Sequence, residues 1–188
     1  MRSLIIIVLT LCTFAVHAQQ DSTSRDGFVI GFGIGGGVLH LADTRNEITI
    51  NNTQGGFSFP NLKIGFMINE RLAFLVTTKG MIYDYDGKDR SMDALTPSIQ
   101  FWIKNKWWIN GGFGLAMDMP AFYDVNDFAD EEWNFGCVLT AGTGYEVLKR
   151  NNFAMDLQAN VMLGRTFLGD DNYRDGAGFL LGLGFNWY

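Results

Sequence analysis

From Gly27 to the C-terminus, apolar and polar residues alternate at every second position, in segments separated by short polar breaks. The stretch after Asn152 shows it most clearly. Phe153, Met155, Leu157, Ala159, Val161 and Leu163 share one parity, and Asp156, Gln158 and Asn160 share the other. Successive side chains of a strand point to opposite faces, so this is a strand with one apolar face and one polar face. Leu62, Ile64, Phe66 and Ile68 oppose Asn61, Lys63 and Gly65 in the same way, and Leu95, Pro97, Ile99, Phe101 and Ile103 oppose Thr96, Ser98 and Gln100. Trp107, Ile109, Phe113, Leu115 and Met117 oppose Asn110, Gly112 and Gly114. The pattern predicts strands over 27–40, 57–68, 72–83, 94–103, 107–117, 133–147, 153–167 and 176–188. No helical periodicity competes in these stretches.

The breaks between segments differ in length. Asn69-Glu70-Arg71, Lys104-Asn105-Lys106 and Lys149-Arg150-Asn151-Asn152 are short, whereas 41–56, 84–93, 118–132 and 168–175 read as longer polar loops. Long and short connections therefore alternate, as they do in a transmembrane barrel with short periplasmic turns and long external loops. A soluble ligand-binding barrel also has about eight strands, but it turns its apolar face inward. The polar face here holds few ions (Lys63, Lys79, Glu146 and Asp156) among many Gly, Ser, Thr, Asn and Gln. That composition suits a tight interior better than a solvated exterior. Trp107, Trp133, Tyr145, Phe153 and Trp187 cluster near strand ends, where interfacial aromatic girdles lie. The expected fold is all-β, an eight-stranded antiparallel up-and-down transmembrane β-barrel.

The C-terminal run Gly182-Leu-Gly-Phe185-Asn-Trp187-Tyr188 resembles the assembly signal of small eight-stranded outer-membrane proteins of the OmpA/OmpX type. Gly182, Phe185 and Trp187 match it, while Leu180 replaces an expected polar residue and Tyr188 overhangs by one. The resemblance implies insertion by the barrel-assembly machinery into the outer membrane of a Gram-negative cell, with lipid and lipopolysaccharide as neighbours. It implies no one activity, because function is carried by sites grafted onto such a fold.

The first 18 residues form a separate unit. Arg2 is followed by an apolar stretch from Leu4 to Val16 and by small residues ending at Ala18, which reads as a secretory signal peptide cleaved after Ala18. Residues 19–26 are expected to be a short periplasmic lead-in and 27–188 the barrel. Cleavage removes Cys12 and leaves Cys137 as the only cysteine, so no internal disulfide is expected. The whole chain has 14 basic and 20 acidic residues, and Arg2 is the only charge lost with the signal. A mature surface this acidic disfavours nucleic acid as a partner.

Four sets of residues are candidates for chemistry. Lys63, Lys79, Glu146 and Asp156, with Gln158 and Asn160, are expected to meet inside, since an eight-stranded barrel is just wide enough to be filled by side chains and a charge left unpaired there is expensive. The glycines of strand one (31, 33, 35, 37) and of strand eight (178, 182, 184) should form a bare wall where the barrel closes. Room beside it either receives long side chains from opposite or lines a narrow cavity. His40, Asp89 and Ser91 offer the residue types of an acyl-transfer set at the outer rim, but their context is ordinary loop, and no catalytic residue, cofactor or metal is expected. The third loop carries Asp118, Asp124, Asp127, Asp130, Glu131 and Glu132, interleaved with Phe122, Tyr123 and Phe128. Solvation and divalent-cation binding are both open for its acids. Exposed aromatics among charges mark a candidate recognition surface. The expected function is a structural or surface-interaction role through the external loops, including contact with a surface protein partner. The alternatives are a narrow channel or carrier for small solutes and, behind it, a lipid-modifying enzyme.

Overall fold

The computed structural model describes residues 25–44, 53–123 and 132–188. Eight strands follow in chain order: β1 Phe28–Asp43, β2 Thr53–Asn69, β3 Leu72–Tyr85, β4 Lys88–Lys104, β5 Trp107–Pro120, β6 Asn134–Arg150, β7 Phe153–Gly169 and β8 Asn172–Trp187. Each pairs antiparallel with its neighbour, and β8 returns to β1, closing the barrel. No described helix is long and apolar enough to cross a membrane, so any crossing is made by the strands. A line of paired residues that leaves β1 at Phe28 runs through Phe66, Phe74, Ile99, Gly111, Ala141, Val161 and Phe179. It meets β1 again at Val38, ten residues further along. For eight strands, that stagger corresponds to a tilt of about 40° from the barrel axis.

The apolar parity faces outward. On β7, Leu157, Val161 and Leu163 are exposed while Ala154, Asp156, Asn160 and Met162 are buried. From Phe153 to Leu163, this outer face rises about 25 Å along the axis, the height of the apolar band of an outer-membrane barrel. Trp107, Tyr145, Phe153 and Trp187 ring the end where β1 begins and β8 ends, and Trp133 lies at the other. These are termed the inner and outer ends.

Two outer connections differ from the expected long loops. Strands β3 and β4 continue past Tyr83 and Asp93 to a two-residue turn at Asp86-Gly87, and β7 and β8 continue to one at Asp170-Asp171. All four turn residues have positive φ, the requirement of tight hairpin turns that match strand twist. The alternation of short and long connections therefore fails at 84–93 and 168–175. Strands of 14 to 17 residues exceed the roughly 9–11 needed to span a bilayer, and the hairpins stand clear of the band.

One ladder is incomplete. Strands β2 and β3 pair from Asn69/Leu72 only as far as Lys63/Thr77. Above that point side chains replace backbone partners. The Leu62 amide donates to Thr78 Oγ1 at 2.9 Å, the Gly80 amide to Asn61 Oδ1 at 3.3 Å, and Ser58 Oγ to the Gly80 carbonyl. Gln54 bonds both backbone groups of Asp84. Pro60, which has no N–H to offer a ladder, sits within this seam. Because lipid offers no hydrogen bonds, the seam requires these polar side chains at these positions.

Candidate functional site

The interior is filled in layers, each built by inward positions of several strands. At the inner end, Glu146 on β6 is fully buried and accepts hydrogen bonds from Arg25 Nη2 (2.7 Å), Trp102 Nε1 (2.9 Å) and Tyr188 Oη (3.0 Å). The Arg25 guanidinium lies 4.6 Å above the Trp102 ring. Next comes Asp156 on β7, which accepts from Trp108 Nε1 (3.0 Å) and Asn186 Nδ2 (2.9 Å) and lies 4.0 Å from Lys63 Nζ. Hydroxyls of Thr77, Thr96, Ser98 and Thr140 form a connected chain across the waist at 2.9 to 3.3 Å.

Above the waist the filling becomes apolar. Leu39, Leu41, Met81, Met92, Val138, Met162 and Leu180 form one buried cluster. An ionic plate covers it at the outer end. Asp118 on β5 is fully buried, accepts from Arg90 Nε (3.0 Å) and Tyr83 Oη (2.7 Å), and is ion-paired with Arg174. Arg174 also holds Asp43 at 2.7 Å and stacks 4.3 Å from the Tyr85 ring.

These layers only partly match the expected cluster. Lys63 does meet Asp156, but Glu146 takes Arg25, a residue assigned by sequence to the lead-in. Lys79 reaches no carboxylate among the described residues; its ammonium donates to Asn110 Oδ1 at 3.3 Å. Gln158 and Asn160 line the waist beside it. The glycine wall forms as expected, with Gly33 opposite Gly184 and Gly35 opposite Gly182. Long side chains take the room: Gln158 and Asp156 lie against Gly184, Met162 against Gly178, and Met92 against Gly176.

Asp118 is not part of an exposed loop. Its parity matches Ala116 on β5, and two arginines neutralise it inside the barrel. Phe122 and Tyr123 are 72% and 68% exposed at the start of the third loop. Asp124, Asp127, Phe128, Asp130 and Glu131 lie outside the described residues. Both described ends of this loop are held to the barrel. The Ala121 amide donates to the Asp89 carbonyl at 2.9 Å, and Tyr123 Oη donates to Asp89 Oδ2 at 2.9 Å. Arg90 Nη2 donates to the backbone carbonyls of Asp118 (3.2 Å) and Glu132 (2.8 Å), one on each side of the loop. Arg90 thus closes the plug and ties down the loop at once.

His40, Asp89 and Ser91 do not assemble. His40 faces outward on β1 and bonds Thr53 Oγ1 at 3.0 Å, while Asp89 and Ser91 lie on β4. Strands β2 and β3 stand between, which at about 4.8 Å per strand separates the backbones by roughly 14 Å. No group of three or more metal-ligating side chains occurs among the described residues. At the C-terminus, Gly182 faces inward, and Phe185 and Trp187 lie on the outer face against Phe32 and Phe153, at ring distances of 5.0 and 5.1 Å. Tyr188 turns inward to Glu146.

The sequence reasoning missed Arg25, Arg90, Arg174, Asp43, Tyr83, Trp102 and Trp108. For most of them parity was a usable signal. Trp108 must point inward if Trp107 points out, and Arg90 and Arg174 share parity with Met92 and Gly176.

An apolar exterior of bilayer height around a polar, ion-paired interior rules out a soluble barrel, and solved structures agree. The attachment invasion locus protein Ail of Yersinia pestis superposes with a TM-score of 0.53 at 15% identity, covering 86% of this chain and 99% of Ail. This chain has the fold of the small eight-stranded outer-membrane barrels. Ail in complex with the heparin analogue sucrose octasulfate gives a TM-score of 0.51 at 14% identity, over 86% and 99% of the two chains. Neisserial surface protein A, from Neisseria, gives 0.52 at 16% identity, over 85% of this chain and 95% of its own. No protein-family model and no curated protein sequence matches the barrel.

Proposed function

We propose that this barrel works in the outer membrane of a Gram-negative cell as a surface-interaction protein, presenting the third loop and its flanking hairpins to a macromolecular partner. One observation carries the reading. The same arginine that closes the interior holds both ends of a loop whose first aromatics are thrust into solvent. Aromatic side chains on a pre-organised support bury much area at little entropic cost, which is how binding hot spots are built. The fold is compatible with this role, since it also serves a protein named for attachment and another named as a surface protein.

The filled interior weighs against the channel and carrier readings. Solutes would have to cross two carboxylate layers, the apolar cluster and the ionic plate. The separation of His40 from Asp89 and Ser91 weighs against acyl transfer at the rim. Gly182, Phe185 and Trp187 are read as the assembly signal, because the two aromatics stand on the lipid face of the closing strand.

The test uses intact cells displaying the whole chain. Their adhesion to a panel of protein- and polysaccharide-coated surfaces is compared with that of cells carrying Phe122→Ser with Tyr123→Ser at equal surface level. Adhesion to one coating that the double variant loses is the expected result. Equal adhesion of both on every coating overturns the assignment to this loop. A steady single-channel conductance of the purified protein in planar bilayers would favour the channel reading instead.

A further inference from the structure

The ions sealed within the barrel do not balance. Among the described residues Arg25, Lys63, Lys79, Arg90 and Arg174 point inward, against Asp43, Asp118, Glu146 and Asp156. Four of the five cations have a carboxylate partner. The fifth, Lys79, is 6% exposed, and among the described residues its one hydrogen bond goes to the amide oxygen of Asn110 at 3.3 Å. An ammonium held away from water needs a counter-charge or a strongly solvating shell.

A cavity of about 20 Å³ lies at this point, lined by Lys63, Lys79, Asn61, Asn110, Gln158 and Asn160. A single water needs roughly 10–15 Å³ measured this way, so the space admits one small ion and is too small for a phosphate or sulfate. Its lining is suited to an anion. Lys63 and Lys79 line it from β2 and β3, and the amide residues Gln158 and Asn160 line it from β7. The Asn160 Oδ1 is buried and has no hydrogen-bond partner. Turning that amide about its last bond exchanges oxygen for nitrogen and places an N–H donor where the unpartnered oxygen stands. The cavity also touches Leu62 and Thr78 in the wall, at the point where the β2–β3 ladder stops.

We propose that the waist of the barrel binds one small monovalent anion of the halide class, as the counter-ion of Lys79. It is a resident structural ion, independent of the surface role assigned above, and it brings the buried charge to neutrality.

The experiment is a bromide-anomalous diffraction map of the whole barrel, refolded and crystallised in bromide, for the wild type and for Lys79→Met. The expected result is a bromide peak within hydrogen-bonding reach of Lys79 Nζ in the wild type, lost in K79M. Water density without anomalous signal in the waist overturns the proposal. So do peaks confined to surface lysines, which mean an adventitious ion only, and a waist peak that persists in K79M. As a second readout, replacing gluconate by chloride at constant ionic strength should raise the unfolding temperature of the wild type and leave K79M unmoved. Equal responses overturn it. If K79M fails to fold, the wild-type map alone decides.

Discussion

Replacing Asp118 by Ala tests whether the outer ionic plate holds the barrel shut. The carboxylate has no exposure and is shared by Arg90, Arg174 and Tyr83. Removing one partner of a buried ion pair costs about 3–5 kcal/mol, because the remaining charge stays buried. Here part of the loss is cushioned. Arg174 keeps Asp43 at 2.7 Å, and Arg90 keeps the Glu132 carbonyl at 2.8 Å. The lower end of the range applies, about 3 kcal/mol, or roughly a 150-fold fall in the folded-to-unfolded ratio. With urea slopes of about 1–3 kcal/mol per molar for small domains, the midpoint should fall by roughly 1–3 M. Tryptophan fluorescence in short-chain lipid vesicles measures the midpoint, and mobility of unheated samples on denaturing gels measures the folded fraction. Asp118→Asn should fall between wild type and D118A, because it keeps one acceptor oxygen. A cycle with Arg90→Ala should return a coupling of about 1–3 kcal/mol. A D118A midpoint indistinguishable from wild type, or a coupling near zero, would refute the view that the plate carries stability.

Other expectations follow from the same geometry. The Arg165–Asp175 pair, bidentate at 2.7 and 2.8 Å but nearly half-exposed on the outer face, is screened by solvent, so Arg165→Ala should leave the urea midpoint where it is. Gly37→Ala places a methyl against the Phe179 carbonyl and Leu180 Cα of the closing strand; its folded fraction on unheated gels should drop, whereas Gly111→Ala, which meets only the Thr140 carbonyl at 3.8 Å, should fold like wild type. Gly87 has a φ of +76°, so Gly87→Ala should cost about 1 kcal/mol in a urea titration, and Gly87→Asn, which tolerates that conformation, should cost less. Arg90→Ala removes one tie from each described end of the third loop, and hydrogen exchange should speed up at the Ala121 amide while the Glu146 amide stays protected.

Alternation made all eight strands and their lipid faces legible, because the contrast between a lipid face and a side-chain-filled interior holds at every second residue of the spanning segments. It failed above the band for the reason it worked within it. Once the outward face leaves lipid it becomes polar, as at Asp89, Ser91 and Asp93, or at Arg165 and Asp175. The inward face continues with Arg90 and Met92, or with Arg174 and Gly176, so both faces look polar and the strand reads as loop. The Asp86-Gly87 pair was a usable hairpin signal against that reading. Asp118 was drawn into the acidic run that follows it, although it keeps the parity of Ala116. The two lysines and two carboxylates were expected to meet without assigned partners; Lys63 does reach Asp156, but the carboxylate left for Lys79 is held by Arg25, from outside the strands.

An eight-stranded barrel leaves no room for the water that solvates polar walls in wider pores, so each inward polar group has to find its partner in protein. Glu146 with four donor atoms and Asp118 between two arginines meet that requirement, whereas Asp156 meets it at Oδ2, with two donors and a lysine nearby, and leaves Oδ1 without a partner. The layers between them use hydroxyls or hydrocarbon, neither of which carries charge. Arg90 shows how rim and interior are joined: its Nε serves the plate and its Nη2 serves the loop, so presentation of Phe122 and Tyr123 rests on the closure below them. Lys79 is the one described interior charge outside this scheme, and it lies where the wall itself changes from a backbone ladder to side-chain bridges.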